Sequence, residues 1–116
     1  MNPTRVLCVE NQPEYKAALK YMLEAVGYQV TVADSGAEAL KMLAAEPVDG
    51  VLLEYDLPDA TGTTIRAEMK RIKPELPVLL FAGVGEHTPF LLRFFDVYLH
   101  DAQLGDSVSV ELEQPR

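Results

Sequence analysis

The sequence holds a single cysteine, so no disulfide can form within the chain. Cys8, set in Val6-Leu7-Cys8-Val9, reads as a buried thiol in a reducing compartment. There are only two histidines, and neither they nor Cys8 fall at metal-ligand spacing; His100, beside Asp101, reads as a surface side chain. No apolar run approaches the roughly 18 residues of a membrane span. The start, Met-Asn-Pro-Thr-Arg, lacks an apolar signal region, so a cytoplasmic location is expected. Basic residues are scarce: 10 Lys and Arg against 18 Asp and Glu leave a net charge of −8. That deficit argues against nucleic acid, whose affinity rests on cations neutralising phosphates, and against an anionic membrane surface. No internal repeat, low-complexity tract or linker precedes the last few residues. The 116 residues, 48% hydrophobic and 24% charged, suit one domain, 1–116, around one core.

Apolar periodicity divides the chain into alternating strands and helices. Residues 5–9 are a short apolar strand closed by Glu10-Asn11-Gln12-Pro13, and Pro13 suits the first turn of a helix. Ala17, Ala18, Tyr21, Met22, Ala25 and Val26 recur at helical spacing, with Gly27 as the stop. Residues 29–33 alternate as a half-buried strand. Ser35 and Glu38 have capping-box spacing ahead of an apolar stripe at Ala39, Leu40, Leu43 and Ala44, which Pro47 closes. Residues 61–72 read as a helix with Ile65, Met69 and Ile72 inward. Residues 76–81 are a strand apolar on both faces. Thr88-Pro89 opens a short helix through Phe95, and residues 97–99 form a fifth strand. Strict alternation of this kind predicts an α/β domain with a doubly wound, flavodoxin-like parallel sheet of five strands.

The chain is organised around Val51-Leu52-Leu53-Glu54-Tyr55-Asp56-Leu57-Pro58, an apolar strand that ends in two carboxylates and a turn. Ligands of open α/β sheets bind beyond the carboxyl ends of the strands, which is where Glu54 falls. Taken alone, an acid at a strand end is more readily explained by solvation.

In register, these pieces resemble a response-regulator receiver domain over about residues 4–101. The resemblance rests on Glu10-Asn11 after the first strand, Asp34-Ser35-Gly36-Ala37-Glu38-Ala39-Leu40, Asp49-Gly50-Val51-Leu52-Leu53 with Pro58 and Gly62, and Lys73-Pro74-Glu75-Leu76-Pro77-Val78. It implies strand order 2-1-3-4-5. It also implies a site in which an aspartate takes up a phosphoryl group, an acidic pair holds Mg²⁺, and a Thr or Ser and a Lys bind the phosphoryl oxygens. This chain departs from that pattern at nearly every position. Glu54 stands at the acceptor, Glu10 and Asn11 at the acidic pair, Ala82 at the hydroxyl and Asp101 at the lysine; the switch aromatic is kept as Tyr98. A glutamate that mimics phosphoaspartate needs the hydroxyl and the lysine, and both are missing.

The expectation is an atypical receiver, not an enzyme, that works without phosphorylation, through protein binding or oligomerisation, in a two-component signalling system. Its kinase or output partner cannot be named from sequence. The alternatives are a working phosphoacceptor at Glu54, a weak Mg²⁺ site through Glu10, Glu54 and Asp56, and a corner that is merely wet. A Mg²⁺-dependent phosphohydrolase built on Glu54-Tyr55-Asp56 lacks a basic residue to stabilise the transferred group. Gly83 and Gly85 lack phosphate-loop spacing and read as a flexible loop. The Phe90, Leu91, Leu92, Phe94, Phe95 cluster is too apolar all round for a surface helix, so part of it is expected to dock a partner. The tail, 103–116, is atypical for the family. Residues 104–113 fit either a hairpin turned at Gly105-Asp106 or a two-turn helix. Such a short cover predicts a partly bare face at Val78-Leu79-Leu80-Phe81 and a homodimer that buries it or pairs the new edge strand with its copy.

Overall fold

The computed structural model describes residues 3–100. Its element order is β1 (Arg5–Val9), α1 (Pro13–Ala25), β2 (Gln29–Ala33), α2 (Gly36–Ala45), β3 (Gly50–Glu54), α3 (Gly62–Ile72), β4 (Val78–Phe81) and α4 (Thr88–His100). Among the described residues the sheet has four parallel strands in the order β2-β1-β3-β4. The central strands β1 and β3 carry apolar side chains to both faces, as a sheet covered on both sides requires.

Two layers result. On one face α2 and α3 bring Ala39, Leu43, Ile65 and Met69 onto Leu7, Val9, Val51, Leu53, Val78 and Leu80. On the other, Leu19 and Leu23 of α1 and Leu91, Phe95 and Tyr98 of α4 cover Val6, Cys8, Leu52, Leu79 and Phe81. Local chemistry agrees with these boundaries. Pro13 begins α1, the Ser35 hydroxyl accepts the Glu38 N–H at 3.1 Å, and Thr61 caps α3.

The structure corrects several expectations. Residues 97–99 are not a fifth strand; they continue α4, whose buried positions Leu91, Phe95 and Tyr98 keep helical spacing. The layers supply the reason. The step from β3 to β4 crosses over through α3, on the α2 side. A right-handed step onward in the same direction would need its helix on that side too. Instead α4 lies on the α1 face of the sheet and runs down to the start of β3, where a Cβ on Gly50 would meet Leu99 at 2.0 Å. In doing so α4 covers the sheet face that was expected to be bare, and every β4 residue is buried. The α1 stripe is also displaced. Leu19 and Leu23 face the core while Tyr21 and Val26 are exposed, because the larger leucines outweigh the alanines on the neighbouring stripe. Ile72, expected inward, is 43% exposed. The tail, 103–116, with its hairpin or helix at 104–113, lies outside the described residues.

Candidate functional site

The carboxyl ends of β1, β3 and β4 meet at one edge of the molecule. Glu10 follows β1 and continues its ladder by one residue, its N–H donating to the Ala33 carbonyl at 3.0 Å. Glu54 is the last residue of β3 and pairs in register with Phe81 of β4. These two acids are almost fully buried, at 1% and 7% exposed, whereas the acids around them face solvent. Burial of a charge is costly unless it is paired, so their partners decide what the site can do.

Those partners are backbone amides. Glu10 Oε1 accepts the Gln12 N–H at 3.0 Å, and Glu10 Oε2 is buried with no partner among the described residues. Glu54 Oε2 accepts the Gly83 N–H at 3.0 Å, which ties the end of β3 to the loop after β4. Burial raises both carboxyl pKa values. For Glu54, burial and the Glu10 charge outweigh the pull of the Gly83 and Asp56 amides and carry it up to about 7. Glu10 is raised by burial, against the Gln12 amide, the neighbouring Glu54 carboxyl and the Asn11 amide, with the Asp56 charge adding a smaller rise. The Cys8 thiol beneath them is pushed up to about 12 by burial and by both acids, so it is not a nucleophile.

The loop after Glu54 is fixed on its far side. Asp59 accepts the Gly36 and Ala37 N–H groups, both at 2.9 Å, at the N-terminus of α2, where a negative charge is favoured. Asp56 bridges to Thr61, and the Gly62 N–H donates to the Tyr55 carbonyl. Lys16 pairs with Asp34 at the edge of the site.

The structure therefore brings Glu10, Glu54 and the Ala82-Gly83 turn together. Asn11 and Asp56 are exposed beside them. Tyr98, expected as the switch aromatic, lies in the layer beneath the sheet with Phe94 and Phe95, its hydroxyl buried without a partner among the described residues. Asp101 lies outside the described residues. Among the described residues no set of three or more Asp, Glu, His or Cys is placed to hold a metal ion. One oxygen of each buried acid accepts a backbone N–H, and the second residue of the acidic pair is the neutral Asn11. Two contacts were missed from the sequence. The Gly83 amide left no signal, because any residue but proline offers an N–H. The Asp59 clamp joins residues more than twenty positions apart.

Comparison with known proteins decides the family. The model of the response regulator receiver domain matches residues 6–102. The chain belongs to the response-regulator receiver family. It is 32% identical to the transcriptional regulatory protein KdpE of Mycobacterium tuberculosis, over 97% of this chain and 56% of that protein. It is equally similar to the transcriptional regulatory protein GlrR of Escherichia coli, over 72% of this chain and 19% of that one. The chain thus spans only part of the curated relatives it matches. Among solved structures, the response regulator TrrA of Thermotoga maritima in complex with Mg²⁺ and beryllofluoride superposes with a TM-score of 0.67 at 26% identity, covering 78% of this chain and 79% of TrrA. A receiver domain from Pseudomonas fluorescens reaches 0.77 at 20% identity, over 89% and 91% of the two chains, and supports the fold alone. TrrA has also been crystallised with the histidine kinase ThkA.

Proposed function

We propose that this receiver signals without taking up phosphate, as a binding domain of a cytoplasmic two-component system. The observation that carries the reading is the bond from Glu54 Oε2 to the Gly83 N–H. At the acceptor position, the oxygen nearest the β4–α4 loop is already engaged. Ala82 offers no hydroxyl, and the acid pair has lost one charge. Phosphoryl transfer needs cations to offset developing charge, and Lys16, the base at the edge of the site, is already paired with Asp34. The reading needs no metal ion.

The output is then a contact with another protein, either a separate partner or an output domain such as the relatives carry. Exposed apolar side chains on the α1 and α4 side, Tyr21, Val26, Phe90 and Val97, are the surface on which we place it, and self-association would use the same surface. The bare sheet face that first suggested a dimer is not available for it. Incubation with acetyl phosphate and Mg²⁺, followed by intact-mass spectrometry, is expected to show no added phosphate. A mass gain of one phosphate that vanishes in Glu54→Gln would overturn this function in favour of a working acceptor at Glu54.

A further inference from the structure

Resting on that reading, we propose that Glu54 is a positioning residue: its carboxyl latches the β4–α4 loop through the Gly83 N–H and holds the start of α4 in place with no outside signal. The loop, residues 82–87, packs Val84 against the α1–α4 core layer and is hydrogen-bonded at both ends. At its far end the Gly85 N–H donates to Thr88 Oγ1 at 2.8 Å, the Thr88 N–H returns to the Gly85 carbonyl at 3.0 Å, and Thr88 itself is 1% exposed. Those bonds are local and move with the helix. At its near end the bond to Glu54 Oε2 comes from a residue 29 positions away, on a different strand. It is the hydrogen bond that ties the loop to the end of β3, alongside the packing of Val84.

Three features fit this role. Gly83 adopts φ +75°, a left-handed conformation that glycine reaches without strain, and its amide meets Glu54 in that conformation. Ala82 has no polar side chain that could replace the bond. Glu54 is nearly excluded from water, where solvent competes poorly for the same donor. The extra methylene of Glu relative to Asp gives the side chain its reach from β3 to the neighbouring loop. Once the loop is set, Leu91 and Phe95 seat α4 on the sheet and Phe90 and Val97 stay on its outer face. The domain therefore presents that face permanently.

Residue-resolved amide hydrogen exchange by NMR tests the latch in the wild type and in Glu54→Gln, Glu54→Asp and Glu54→Ala. Gln keeps an acceptor oxygen at the same reach, so Gly83 protection should stay within about threefold of wild type. Asp and Ala should lose about tenfold or more, at Gly83 first. Strand amides at Leu7 and Cys8 report the global fold. If Ala lowers these too, the comparison of Gln with Asp, one methylene apart, decides. Equal Gly83 exchange in all four proteins, or equal loss in Gln and Ala, would overturn the latch and leave the phosphate-independent function standing. Phosphate uptake by the wild type would overturn that function and leave the exchange result intact.

Discussion

Replacing Glu54 with glutamine is expected to stabilise the protein at pH 8 by on the order of 1–3 kcal/mol and to change little at pH 5. The folded Glu54 carboxyl sits at about 7, above its ordinary 4.5, because burial and Glu10 disfavour its charge. A raised carboxyl pKa means that the folded state holds a proton that the unfolded chain has released. The wild type therefore loses stability as pH rises from about 4.5 through about 7, and the penalty is complete above that window. Glutamine carries no charge to desolvate, still accepts the Gly83 N–H, and brings an amide that Glu10 Oε2, buried without a partner among the described residues, can accept. Urea unfolding at pH 5 and pH 8 measures the effect. The wild-type midpoint should drop between the two more steeply than that of the variant, and parallel curves would contradict the assignment. The overall charge of −8 tilts both proteins alike, so the difference between them is the quantity to read.

Gly62→Ala is expected to cost about 2 kcal/mol or more, a large effect for a single methyl group. A Cβ there would lie 2.6 Å from the Glu54 carbonyl oxygen, 2.6 Å from Leu80 Cδ1 and 2.7 Å from Tyr55 Cα. Two of these are backbone atoms at the end of β3, so relief requires moving the strand that carries the site. Gly36→Ala is the contrasting case. Its Cβ meets only the tip of Ile65, at 2.4 and 2.6 Å, and the Asp59 carboxylate, at 3.4 Å. A side chain can rotate away, and alanine favours the helix by up to about 1 kcal/mol. Midpoints of thermal unfolding for the two variants should differ clearly, with Gly62→Ala the lower. Near-equal midpoints would mean that β3 is not held rigidly against α3.

Most of the fold is legible in the sequence because the strands and helices carry different periods. Val6 to Val9 and Val51 to Leu53 are apolar without a break, while Leu43 and Ala39, or Met69 and Ile65, repeat at four. Residues 97–99 misled because Val-Tyr-Leu is β-favouring in isolation. Three residues are too few to show that Tyr98 continues the spacing of Leu91 and Phe95. The α1 face was misplaced for a related reason: alanine fits either side of a helix, so Ala17, Ala18 and Ala25 do not fix its rotation.

The site divides along a similar line. Glu10 and Glu54 were readable as acids at strand ends, and parallel pairing of β1 with β3 brings such ends together. Their state was not readable. Whether an acid is solvated or buried depends on what closes over it, and here that includes the Gly83 amide. The lysine position was assigned to Asp101 by placing a fifth strand at 97–99. Residues 97–99 lie in α4, and Asp101 itself falls outside the described residues.

Titration of the ¹⁵N-labelled protein with beryllofluoride in the presence of Mg²⁺ tests most directly whether this receiver is closed to phosphate. The reagent occupies an open phosphoacceptor site as a phosphoryl group would. With Glu54 Oε2 held by the Gly83 N–H and no hydroxyl at Ala82, the amide resonances of Gly83 and of the β3–α3 loop are expected to stay where they are. A saturable shift of Gly83 in the wild type, absent from Glu54→Gln, would contradict the account.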